Sequence, residues 1–172
     1  MAERMGQRLK ALRVLYGWSQ RELAKRAGVP NSAISVIEQG TVSPSVFSLE
    51  KVLQGFPISL SDFFAISLDS QPANVCHTTG SPSAASLLAT FEGSGGAGLT
   101  LRAFKRHPSE PPLNMMSHGQ TLILLTVGQA IYHSLEVEHA LSSGSHLSLH
   151  VPTPFRIEPL IDQAEWVVAS RS

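Results

Sequence analysis

Cysteine is nearly absent: the chain has one, Cys76, in 172 residues. That excludes a disulfide scaffold and any zinc site built on several thiolates. Charged residues are sparse at 15% and aromatic ones at 6%, while 42% of the chain is hydrophobic. A packed core is feasible on that balance, and wholesale disorder is not. No apolar run approaches the roughly 18 residues that a membrane span needs. The opening MAERMGQRLK lacks the apolar core of a secretory signal. The expectation is a soluble, cytoplasmic chain with no membrane partner. An excess of one charge sign is missing too, because 13 Lys and Arg balance 13 Asp and Glu. Taken whole, that zero argues against a polyanionic partner.

The zero hides two unlike halves. Residues 1–66 hold eight basic residues (Arg4, Arg8, Lys10, Arg13, Arg21, Lys25, Arg26, Lys51) against five acidic ones, a surplus of three. Residues 67–172 hold five basic against eight acidic residues, and all seven His. Such asymmetry is a hint of a nucleic-acid partner for the first half.

The first 66 residues predict five short helices. Leu9, Leu12 and Leu15 share one face of a helix over about 3–16, ended by Gly17. Ser19 and Glu22 are spaced as a capping box for a second helix with Leu23, Ala24 and Ala27 inward. Gly28-Val29-Pro30 breaks the chain, and Asn31 is the expected N-cap of a third helix with Ile34 and Ile37 inward. Pro44 and Ser45 open a fourth helix carrying Leu49, Val52 and Leu53; Ser59 and Asp62 frame a fifth carrying Leu60, Phe63 and Phe64. The second and third helices, joined by a Gly-containing turn, make a helix-turn-helix unit. On the third helix Asn31, Ser32, Ser35, Val36 and Gln39 cluster within about 140° at 100° per residue. That face is small, neutral and rich in hydrogen-bonding groups, which suits base edges and thymine methyls in a major groove. Gln20 starts the second helix, where free N–H groups favour a phosphate, and Arg21, Lys25 and Arg26 add positive charge nearby.

Residues 6–64 closely resemble the XRE domain, the Cro/C1 phage-repressor-type helix-turn-helix. The resemblance rests on the SQRELA opening at Ser19, the small-residue turn, ISVIEQG at Ile34 and SPS at Ser43. It implies a sequence-specific transcriptional regulator that binds double-stranded DNA. Gln20 would hold a phosphate and orient the recognition helix, with Ser19 and Arg21 beside it. Asn31, Ser32 and Val36 occupy the usual base-reading positions, with Ser35 on the same face. Gln39, Thr41 and Ser43 would touch the DNA backbone. Arg13 and Glu38 match a structural ion pair.

Residues 67–85 are small, polar and aperiodic, and read as a linker, with an edge strand around Val75 as the alternative. From about 86 the pattern turns to short β-like runs at 99–105, 121–127, 130–138, 146–151, 155–160 and 164–170. Gly128-Gln129 reads as a tight hairpin turn, and PSEPPLN at 108–114 as a loop. Runs spaced this way suggest a small antiparallel barrel or sandwich. The fold class is therefore α+β: a five-helix bundle over 1–66, a linker over 67–85 and an all-β barrel over 86–172.

A repressor-type head followed by a β half resembles the XRE–cupin regulators. Gly128, Gly144 and Pro154-Phe155 fall where cupin motifs have Gly, Gly and Pro-His. By that alignment the metal-ligand positions fall near Met115 and Ser117 and on Thr121 and Phe155, with His118 one residue off. His146 and His150, four apart on a strand, would stand about 13 Å apart, too far for one metal. No metal, no cofactor and no enzymatic activity are expected. The barrel mouth is read as apolar, with Met115, Met116, Leu122, Leu124, Phe155 and Ile157. A small-molecule effector would sit there against Arg102, Met116, His118, Leu124, Phe155 and Arg156, and pure dimerisation is the competing role. The reading is a homodimeric repressor of catabolic or transport genes. Its alternatives are an antitoxin-type repressor bound to a protein partner, and a cupin enzyme with a DNA-binding head.

Overall fold

The computed structural model describes residues 2–66, 68, 74–77, 99–117, 119–135 and 137–171. It divides into two compact units, 1–69 and 70–172.

The first unit holds α1 (Ala2–Leu15), α2 (Gln20–Ala27), α3 (Asn31–Glu38), α4 (Val46–Leu53) and α5 (Leu60–Ala65). Most of the apolar side chains named from the sequence face inward: Leu9, Leu12, Leu23, Ile34, Leu49 and Phe63 are essentially fully buried, whereas on α5 Leu60 is half-buried and Phe64 is exposed. Glycines let α1 lie close on the end of α3. A Cβ on Gly6 would collide with the Ile37 carbonyl oxygen and stand 2.9 Å from that of Glu38. Gly40 takes φ +68°, and a Cβ there would meet the Glu3 Cα at 2.8 Å.

Two caps differ from expectation. Ser19 caps α2, its hydroxyl accepting the Glu22 N–H at 3.1 Å. Glu22 does not complete the box; its carboxylate accepts from Arg26 Nε at 2.8 Å, one turn along the helix. The reciprocal box is instead at α5, between Ser59 and Asp62. The cap position of α3 is Pro30, which makes no side-chain cap bond, and Asn31 is the first helical residue.

The second unit contains β1 (Asn74–His77), β2 (Leu99–Arg106), β3 (Leu113–Ser117), β4 (Thr121–Val127), β5 (Gln129–Ser134), β6 (Val137–Ser142), β7 (Ser145–Leu149), β8 (Thr153–Pro159) and β9 (Ala164–Arg171). One sheet has the order β1-β7-β4-β9-β2 and the other β3-β8-β5-β6. β2 pairs with β9, β3 with β8, β4 with β7 and β5 with β6, all antiparallel. Successive nested pairs alternate between the sheets, as when one long hairpin is rolled up. This is a double-sheet jelly roll, the architecture that includes cupins. Its core is Ile123, Leu125, Tyr132, Leu147, Phe155, Ile157 and Trp166 with their neighbours, and Phe104 and Met115 pack against it.

The topology corrects several expectations. Residues 74–77 lie inside the expected linker but pair with β7 as an edge strand, because main-chain bonding to Ser145–Ser148 does not depend on side-chain pattern. Gly128 does not close a hairpin: β4 and β5 belong to different sheets, and the chain crosses between them there. Gly128 has φ +88°, and a Cβ on it would stand 2.7 Å from the Gln163 carbonyl oxygen. The run 130–138 is two strands, β5 and the start of β6, folded back at Leu135, which takes φ +46°. Part of the expected 108–114 loop, Leu113 and Asn114, opens strand β3.

Candidate nucleic-acid interface

Local sequence sets the α2–α3 geometry. Gly28 ends α2 at φ +61°, a left-handed conformation that glycine adopts without a Cβ clash. The Val29 N–H then bonds the Ala24 carbonyl at 3.0 Å. Pro30 fixes the entry into α3.

Glu38 locks the orientation of α3. Its side chain is 3% exposed, and it accepts from Arg13 Nε at 2.6 Å and from Arg13 Nη2 at 3.0 Å. Gln20 Nε2 donates to it at 2.8 Å. Arg13 Nη1 also donates to the Trp18 carbonyl at 2.7 Å. One carboxylate on α3 is therefore held by α1 and by the first residue of α2. A bidentate guanidinium fixes direction as well as distance. Gln20, read from the sequence as a phosphate contact, has its amide N–H directed at Glu38.

With Ile34 and Ile37 buried, the opposite face of α3 is presented. Asn31 and Ser32 are exposed, Ser35 and Val36 half-buried, and Gln39 exposed just beyond the helix. Pro30 at the cap leaves the Asn31 side chain out of the capping role. Gln39 Nε2 donates to Ser35 Oγ at 3.2 Å, and Thr41 Oγ1 donates to the Val36 carbonyl at 3.0 Å, closing the end of the helix. Ser19, Arg21, Thr41 and Ser43 are exposed. Thus the structure gathers Asn31, Ser32, Ser35, Val36 and Gln39 on one surface. The nearby cations Arg21, Lys25 and Arg26 are all exposed, and Arg26 also pairs with Glu22 and lies 4.3 Å from the centre of the Trp18 ring.

Sequence reasoning passed over Val42, Val46 and Phe47. They are exposed, Phe47 at 76%, on the segment that follows Thr41. The available signal was Ser45, which caps α4 and puts Val46 and Phe47 at its first two positions.

The effector set proposed from sequence is not brought together. Phe155 is fully buried between the sheets, stacked on Tyr132. Leu124 lies on the opposite side of its strand from the buried Ile123 and Leu125, so it faces outward. Met116 and Arg156 lie on the outer face of the four-stranded sheet, out of phase with the inward Ser117, Phe155 and Ile157. Arg156 Nε lies 3.0 Å from Glu158. Arg102 sits on edge strand β2 and is exposed, and His118 lies outside the described residues. The cause is the two-residue period of a strand: neighbours such as Leu124 and Leu125 point to opposite faces. Of the positions aligned with cupin ligands, Met115 packs against the core and lies opposite Phe155. Ser117 and Thr121 are buried, and the Ser117 hydroxyl donates to the Val151 carbonyl at 3.1 Å.

Residues 9–63 match the family HTH_3, helix-turn-helix. Over 60 residues the chain is 47% identical to "HTH-type transcriptional regulator PuuR" of Escherichia coli strain K12, covering 35% of this chain and 32% of that protein. It is 32% identical over 60 residues to "Uncharacterized HTH-type transcriptional regulator YgzD" of Bacillus subtilis strain 168, covering 91% of that protein. The chain belongs to the helix-turn-helix regulator family. The match spans about a third of the length of the PuuR proteins, so the family is shown through the helical unit alone. Among solved structures, an HTH_3 family transcriptional regulator from Vibrio cholerae aligns over 98% of this chain and 96% of its own, at 20% identity and a TM-score of 0.36. A de novo designed double-stranded β-helix aligns over 42% of this chain and 99% of its own, at 14% identity and a TM-score of 0.36. At those scores the jelly-roll assignment rests on strand pairing alone.

Proposed function

We propose that this protein is a sequence-specific transcriptional regulator that places α3 in the major groove of double-stranded DNA. The observation that carries this reading is the neutral, hydrogen-bonding face of α3 held in a fixed orientation by the buried Glu38–Arg13–Gln20 cluster. A solvated helix face without a ligand commonly carries Lys and Glu; this one carries Asn31, Ser32, Ser35 and Val36. Asn is suited to bidentate contact with adenine and a Val methyl to contact with thymine. Residues 1–66 have a surplus of only three positive charges. Phosphate neutralisation by one head is correspondingly modest. Useful affinity then comes from a homodimer presenting two heads to half-sites about one helical turn, roughly 10 bp, apart.

Selection of duplexes from a randomised pool by the full-length chain tests this. The expected result is a motif made of two related half-sites at that spacing, with binding that weakens steeply as salt rises. No enrichment over the starting pool contradicts it.

Repression of catabolic or transport genes and response to a small-molecule effector belong to the same reading. An effector acts only by binding the DNA-competent and incompetent arrangements differently. Among the described residues, a cavity of about 200 Å³ opens beside the β2–β3 loop, lined by Arg106, His107, Glu110, Leu113, Ile157 and Glu158 among several prolines. Thermal-shift screening with amino acids, short peptides and polyamines tests the effector role, and no shift with any of them contradicts it.

A further inference from the structure

Strand β4 reads Thr-Leu-Ile-Leu-Leu-Thr-Val, and its stretch Leu122–Leu125 is apolar on both faces. An antiparallel sheet with one solvated face normally alternates apolar and polar residues. Ile123 and Leu125 fill the core, which leaves Leu122 and Leu124 on the outer face. The register continues that outer face across β9 and β2. Leu122 lies beside Ala169 and Leu124 beside Val167; Ala169 lies beside Leu101 and Val167 beside Ala103. Seven outward positions on three adjacent strands, Leu99 and Ala103 included, therefore carry no charge. Charged groups stand at the rim: Lys105, 3.2 Å from Glu165, at one end and Arg171, opposite Leu99, at the other. An apolar centre with a polar rim is the anatomy of a protein interface.

The relief of this surface points to its occupant. Leu99 and Leu101 on edge strand β2 stand proud, 57% and 64% exposed. Leu122 and Leu124 on β4 are half-buried, and Ala169 between the two strands is recessed and buried. A two-fold axis running parallel to β9 lays β2 of one protomer over β4 of its partner. The proud Leu101 then meets the partner's recessed Leu122, twice by symmetry, and Val167 and Ala169 of the two β9 strands meet at the axis, with Glu165 and Arg171 at its two ends. We propose that the outer face of β2, β9 and β4 is the surface through which two copies of this chain pair. Three strands about 4.8 Å apart and eight residues of about 3.4 Å rise give a flat footprint of roughly 390 Å² per protomer. That is about half the area per partner of a standard interface, so the pairing is expected to be weak and concentration-dependent. The inference deepens the regulator reading, which requires two heads, by naming where they are joined.

Sedimentation of the full-length chain over a range of concentrations tests it, with Leu101→Glu and Leu160→Glu compared. Leu101 is exposed on an edge strand, so the substitution leaves the core intact, and circular dichroism checks the fold. Leu160, 46% exposed in the β8–β9 turn, is the off-surface control. The wild type and L160E are expected to dimerise reversibly. L101E is expected to raise the dimer dissociation constant at least about 100-fold, because each copy carries an unpaired charge into an apolar contact. The double variant L101E/L122K, which sets Glu over the partner's Lys, is expected to regain dimer. A monomeric wild type, the outcome if the chain's own head covers this face, overturns the proposal. So does an L101E that dimerises like the wild type. The DNA reading fails separately: if no duplex binds the wild type, the sedimentation result is unaffected.

Discussion

Removing Arg13 should destabilise the helical unit strongly while leaving the β unit unchanged. Arg13→Ala deletes two bonds to Glu38, at 2.6 and 3.0 Å, and one to the Trp18 carbonyl, at 2.7 Å. Glu38 is left with Gln20 alone, its side chain 3% exposed. Breaking one partner out of a buried pair typically costs about 3–5 kcal/mol, because the remaining charge stays desolvated. Small domains have about 5–15 kcal/mol in total. For a unit of this size each kcal/mol moves the midpoint by about 4–8 °C, so a 3 kcal/mol loss lowers it by about 12–24 °C. The two tryptophans, Trp18 and Trp166, fall one in each unit. Thermal melts followed by Trp18 emission in a Trp166→Phe background report the helical unit directly, and calorimetry of the Arg13→Ala chain reports both units. The double variant Arg13→Met/Glu38→Leu should recover much of the loss, since apolar replacement of both members removes the stranded charge. A drop of under about 1 kcal/mol would mean that the pair behaves as an exposed one, and would refute the claim that it fixes α3.

Two further perturbations follow from the geometry. Gly128→Ala adds a Cβ 2.7 Å from the Gln163 carbonyl at φ +88°; the β unit should lose about 1–3 kcal/mol in denaturant titration, and the helical unit nothing. Burial pushes Tyr16 and Tyr132 up to about 12 from their ordinary 10, opposed at Tyr132 by its bond with Ser134. The folded chain thus favours neutral phenols. Their contribution is fully present below pH 10 and is lost as pH rises from 10 towards 12. Melting midpoints should fall over that window, and Tyr16→Phe together with Tyr132→Phe should flatten the fall; unchanged slopes contradict it.

The helical unit was legible because its signals are local. Ser19, Gly28, Ser45 and Ser59 each act within a few residues of where they stand, and Leu9, Leu12 and Leu23 follow the helical period. The misplaced cap at Asn31 reflects a choice between two adjacent positions, Pro30 taking the extended backbone. The β unit was less legible because its pairings are distant. β3 follows two prolines and has no β-branched residue, and its strand state depends on β8, whose partners lie more than thirty residues further on. The turn between β5 and β6 has no glycine or proline to mark it: Leu135 itself adopts the left-handed conformation. In Leu122–Leu125 there is no polar residue to reveal which parity faces the core. The effector set accordingly mixed inward Phe155 with outward Leu124 and Met116.

The central claim is that α3 reads bases. Asn31→Ala/Ser32→Ala in the full-length chain tests it most directly, because both side chains are exposed and neither packs the core. Titration against the selected duplex and a scrambled one separates sequence readout from phosphate attraction. At about 1–3 kcal/mol for each of the two base contacts, specific affinity should fall at least about 30-fold, while binding to the scrambled duplex stays unchanged. Equal affinity of variant and parent for the selected duplex would contradict the account.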